Sequence, residues 1–132
     1  YSNIKNIRFI KKQKQELLRN FYNDSDLFIL CSIEEGLAMV QAQAMACGLP
    51  VICTTNTGGS EIVDENINGH IIPIKDVQLL KDRIKNLYYD RNKLKQMSKS
   101  AYKKANNELS WEKYGNRMLN TYRGLLKTKN NI

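Results

Sequence analysis

The stretch Leu27-Phe28-Ile29-Leu30-Cys31-Ser32-Ile33-Glu34-Glu35-Gly36-Leu37-Ala38-Met39-Val40-Gln41-Ala42-Gln43-Ala44-Met45-Ala46-Cys47-Gly48-Leu49-Pro50-Val51-Ile52-Cys53 decides the fold. Leu27 to Cys31 is an unbroken apolar run of strand length, and Val51 to Cys53 is another. Between them, Ala38 to Cys47 holds no Gly or Pro and is rich in Ala and Met. It reads as a helix whose small side chains let it lie close on a sheet. Gly48 and Pro50 supply the punctuation that ends such a helix. Strands without polar alternation are buried on both faces, which is the condition of a parallel sheet joined by crossover helices.

The pattern extends in both directions. Ile7 to Ile10 predicts a further short strand, and Gln13 to Tyr22 a helix with Leu17, Leu18, Phe21 and Tyr22 on one face. Asn23-Asp24-Ser25-Asp26 breaks the chain before Leu27. Beyond Cys53, Thr54 to Gly59 is rich in turn residues, and Gly69 to Pro73 predicts another strand. The remainder is helical in pattern. Asp76 can cap a helix carrying Leu80, Ile84, Leu87 and Tyr88, and a second carries Leu94, Met97, Ala101 and Ala105. Ser110 can cap a third, whose stripe runs from Trp111 through Tyr114, Met118, Leu119 and Tyr122 to Leu126. The expected architecture is α/β, a parallel sheet with helices on both faces, ending in three consecutive helices.

Composition narrows the function. The 132 residues are 42% hydrophobic, enough for a single core, so global disorder is excluded. No apolar run approaches the roughly 20 residues that span a bilayer. No basic region followed by an apolar one opens the chain, so the expectation is a cytoplasmic protein. With 21 Lys and Arg against 13 Asp and Glu, the formal net charge is +8. That charge fits solvated helical faces, or a surface for a phosphate-rich ligand or the inner face of a membrane. Cys31, Cys47 and Cys53 are odd in number and lie in apolar segments, so they read as small buried hydrophobes. The single histidine, His70, reads as a residue at a strand edge, and with these cysteines it makes no metal-ligand spacing. No metal and no cofactor are expected.

In a sheet of this kind ligands bind beyond the carboxyl ends of the strands. The loop Ser32 to Ala38 runs directly into a helix, whose first-turn N–H groups and dipole make an anion site. Gly36 would let the backbone approach a phosphate. A carboxylate such as Glu35 repels phosphate, so if it touches a ligand it should hold hydroxyl groups. Alternatively, Glu34 and Glu35 only complement the helix dipole. Lys11 and Lys12 can meet a nucleotide or be solvated. Thr54 to Gly59 can cradle an anion or be an ordinary turn.

Five segments then carry a resemblance: Glu35-Gly36-Leu37-Ala38, Gln43 to Ile52, Thr57-Gly58-Gly59-Ser60-Glu61, Asn68-Gly69 and Ser110-Trp111-Glu112. In this order they resemble the C-terminal region of the group 1, or family 4, retaining glycosyltransferases of GT-B architecture, over about Ile7 to Leu126. The resemblance implies a Rossmann-like donor-binding domain, with a UDP- or GDP-linked sugar as substrate and a glycan or lipid as acceptor. It also implies that an acceptor domain and the first strands of the donor domain lie before Tyr1. Glu35 matches the residue that contacts the donor sugar, and the backbone of Gly36, Leu37, Ala38 and Met39 the diphosphate-facing segment. Gln43 stands where the family has a ribose-holding Glu, with seven residues between it and Glu35, and keeps an acceptor without the charge. Lys11 stands where the chain often has Gly near the base. Two other functions stay open: a non-catalytic nucleotide-binding module, and a basic surface for RNA or anionic lipid. Phe9 is the lone aromatic near Lys11 to Lys14, which counts against nucleic acid. The stripe of the last helix is longer than its neighbours need, which predicts self-association.

Overall fold

The structure, a computed structural model, describes residues 5–129. Its elements are α1 (Gln15–Asn23), β1 (Phe28–Leu30), α2 (Met39–Ala46), β2 (Val51–Thr54), a single 3-10 turn (Gly59–Glu61), β3 (Gly69–Ile72), α3 (Val77–Tyr89), α4 (Arg91–Glu108) and α5 (Trp111–Lys129). The strands form one parallel sheet in the order β1-β2-β3, with Phe28 opposite Val51 and Val51 opposite Gly69. Each crossover carries the chain back to the starting edge of the sheet, so both strand-to-strand connections end in parallel pairing.

Side chains alternate across the sheet, and the core divides accordingly. Val51 and Cys53 pack on one face with Met45 of α2 and with Ala101 and Ala105 of α4. Ile52 and Ile72 pack on the other with Leu87 of α3 and with Leu94 and Met97 of α4. Helix α4 therefore serves both layers, its first half on one face and its second half on the other. The alanines at 101 and 105 allow α4 to approach α2 closely.

Helix ends follow the sequence. Asp76 Oδ1 accepts from the Leu79 N–H at 2.9 Å, Asp90 Oδ1 from the Lys93 N–H at 2.9 Å, and Ser110 Oγ from the Lys113 N–H at 3.2 Å. Helix α2 stops at Gly48, whose φ of +81° suits glycine, with Gly48 N–H on Met45 O at 2.9 Å and Leu49 N–H on Ala44 O at 3.0 Å. These bonds turn the chain straight into the central strand.

Two expectations are corrected. Ile7 to Ile10 is not a strand, and Phe9 is 68% exposed. A strand exists by pairing, and this segment pairs with neither outer strand of the sheet, β1 or β3. The cysteines are not all buried: Cys53 is, Cys47 is half-buried, and Cys31 is exposed just past the end of β1. His70 lies on an outer strand as expected, yet it is buried. No described helix is long and apolar enough to cross a membrane.

Candidate functional site

The loops after β1 and β2 lie side by side at the carboxyl edge of the sheet, held by specific bonds. Thr54 Oγ1 donates to Ser32 O at 2.5 Å, and the Glu35 N–H donates to Asn56 O at 2.7 Å. Thr57 Oγ1 donates to Thr54 O at 2.8 Å and closes the second loop on itself. Gly58 sits at φ +65°, and a Cβ there would stand 2.7 Å from Leu37 Cα. Only glycine allows so close an approach of the two loops.

Glu35 projects from this junction with its carboxylate exposed. Ser32 Oγ donates to Oε2 at 3.0 Å, which orients the group and leaves Oε1 free of any partner among the described residues. Gly36, Leu37, Ala38 and Met39 follow into helix α2. Unlike α3, α4 and α5, this helix has no side-chain cap, since its first flanking residue is Ala38. Among the described residues, the N–H groups of Gly36, Leu37, Ala38, Met39 and Val40 meet no acceptor, and the first paired amide is Gln41, on Ala38 O at 3.0 Å. Five donors and the positive end of the helix dipole thus lie beside Glu35.

The other candidates lie apart. Gln43 is one helical turn further on, half-buried, and its Oε1 has no partner in the structure. It borders a cavity of about 450 Å³ with Gln15 and Arg19 of α1 and Tyr102 of α4. Lys11 is exposed ahead of α1, and its side chain makes no ion pair among the described residues. The structure therefore joins Glu35 with Gly36 to Met39 and sets Gln43 and Lys11 outside that group. Gln41 carries no signal of its own in the sequence, whereas Thr57 is marked there only as the first residue of the Thr57-Gly58-Gly59 segment. No three His, Cys, Asp or Glu side chains gather as a metal site among the described residues. A separate depression of about 410 Å³, lined by Asp26, Gly48 and Arg91, lies at the amino ends of the strands, opposite Glu35.

The parallel sheet with helices on both faces, ending in helices, matches the Rossmann-like C-terminal domain of the GT-B architecture. The chain belongs to the family of glycosyl transferases group 1, whose model matches residues 1–104. It is 30% identical over 118 residues to spore coat protein SA of Bacillus subtilis, covering 88% of this chain and 31% of that protein. It superposes on sucrose-phosphate synthase from Thermosynechococcus elongatus with a TM-score of 0.80 and 25% identity, covering 92% of this chain and 30% of the other. It also shares its fold with HepE of Anabaena, solved in complex with UDP, at a TM-score of 0.72 and 23% identity over 79% of this chain and 29% of that one. The chain thus spans under a third of each of these proteins.

Proposed function

We propose that this chain is the donor-binding part of a glycosyltransferase that moves a sugar, with retention, from a UDP- or GDP-linked donor to a glycan or lipid acceptor. The observation that carries the reading is the row of unpaired N–H groups from Gly36 to Val40 beside the Glu35 carboxylate. A nucleotide sugar has two chemically different ends to be held, a diphosphate and a ring of hydroxyls. The amides and the helix dipole suit the diphosphate, and they act most strongly on the charge that develops as the nucleoside diphosphate leaves. Glu35, acceptor-only when ionised, suits the hydroxyls of the sugar. The same reading assigns Gln43 to the ribose and Lys11, an exposed cation, to the base or phosphate. The fold shared with a UDP-bound protein supports the reading, and no step of it calls on a metal.

The rest of the catalytic apparatus belongs to sequence outside this chain in our proposal. Among the described residues strand β1 has a partner on one side only, and Ile29 on that strand is exposed. We assign that open edge to further strands of the same sheet, and the acceptor contacts to a second domain. By itself the chain should bind nucleotide weakly and transfer nothing, because transfer requires donor and acceptor held together away from water.

Glu35 provides the test. In a chain extended upstream to the length of its relatives, Glu35→Ala should abolish sugar transfer across a panel of donors and acceptors, while nucleoside diphosphate affinity stays within about a few-fold. Equal loss of both would make Glu35 a structural residue and remove the sugar-binding role.

A further inference from the structure

We infer that Gln41 is the residue that positions the amide row for the donor diphosphate, an inference that rests on the donor reading above. Gln41 lies in the first turn of α2 and is 0% exposed. Its Nε2 donates to Thr57 O at 2.8 Å, while its Oε1 has no hydrogen-bond partner. An amide buried with its carbonyl oxygen unpaired is a costly choice where an apolar side chain would pack without penalty. Such a group is explained by what its one bond holds in place.

That bond joins the start of α2 to the second loop. The second loop in turn grips the first, through Asn56 O on the Glu35 N–H and through Thr54 Oγ1 on Ser32 O. The result is a closed circuit: α2 to Thr57, Thr57 to Thr54, Thr54 to Ser32, and the backbone from Ser32 back through Glu35 into α2. Residues Gly36 to Val40 are the stretch of the circuit whose N–H groups meet no acceptor among the described residues. Their direction follows from the start of α2 and from two ties to the second loop, Glu35 on Asn56 and Gln41 on Thr57. Remove the Gln41 donor, and the tie from α2 to the second loop is lost.

The test uses the whole 132-residue chain, labelled with nitrogen-15, in unchanged, Gln41→Met and Gln41→Leu forms. Methionine keeps length and leucine keeps an apolar fit, and neither carries a donor for Thr57 O. UDP and GDP are titrated in while amide signals are followed, and amide exchange is measured without ligand. Both variants should weaken diphosphate binding about tenfold or more and speed exchange at Glu35, with exchange at Ile71 in β3 unchanged. Unchanged affinity in the variants overturns the inference and leaves the donor reading standing. Faster exchange at Glu35 and Ile71 alike, or failure of both variants to fold, makes Gln41 a general structural residue and also overturns it. If the unchanged chain binds neither nucleotide, the donor reading itself fails and the role of Gln41 falls with it.

Discussion

His70, the only histidine, is 1% exposed and sits in a polar cluster with Glu65 and Arg83. Its Nδ1 is 2.9 Å from Glu65 Oε1, Glu65 Oε2 accepts the Ile71 N–H at 2.7 Å, and Arg83 of α3 approaches Oε1 at 3.4 Å. Burial holds the imidazole below its ordinary value of 6.5, against the opposing pull of Glu65. For Glu65, burial pushes upward, but the hydrogen bonds from His70 and Ile71 and the nearby charges outweigh it, so its carboxyl lies below 4.5. Both shifts act in the same direction on stability. As pH falls below 6.5 the unfolded chain protonates its histidine while the folded chain resists. Below 4.5 the unfolded carboxyl protonates first as well. The unfolded state binds more protons in each window, so stability should decline continuously on acidification. Denaturant midpoints measured from about pH 7.5 downward should fall in the unchanged chain, and His70→Gln should lose the upper part of that fall and keep the lower. An identical profile in His70→Gln would remove His70 from the effect.

Helix α5 is the element whose surroundings explain least of its sequence. Trp111 is 75% exposed and Leu126 64%, with Tyr122 and Leu125 between them also exposed. Among the described side chains of α5 only Met118 is half-buried, while Trp111 and Tyr114 border an apolar groove of about 240 Å³ shared with Leu37 of the site loop and Met39 of α2. An uncovered stripe of this size favours association. The chain alone should sediment as a self-associating species at high concentration, and Leu119→Glu with Leu125→Glu should return it to a monomer. A strict monomer before substitution would contradict this. The periodicity of α5 was plain in the sequence, but periodicity says that a face is apolar and not what covers it. The same gap explains Ile7 to Ile10, where an apolar run signalled a strand without showing a neighbour to pair with. The strands from β1 to β3 and the caps Asp76 and Ser110 were legible because local pattern and tertiary pairing agree there. Within the site, the Glu35 loop and the start of α2 could be read from their own residues. The bond from Gln41 to Thr57 could not, since it exists only once β1 and β2 lie side by side.

At the scale of the molecule, the sheet explains why chemistry should gather at one end. Parallel strands deliver their following loops to the same edge, and the open helix start lies there with Glu35. The basic residues are distributed elsewhere: Lys81, Lys85, Lys95, Lys99 and Lys103 are exposed along α3 and α4. A diphosphate therefore has two competing destinations, the amide row at Gly36 to Val40 or the lysine-rich helical surfaces. Charge alone would favour the second, and such binding would fade with salt over the Debye length. Specific donor recognition requires the first. Titrating the nitrogen-15-labelled chain with UDP and GDP at about 0.15 M salt separates them directly. The account predicts saturable shifts centred on the amides of Gly36, Leu37, Ala38, Met39 and Val40. Shifts confined to α3 and α4, or none at all, would contradict it.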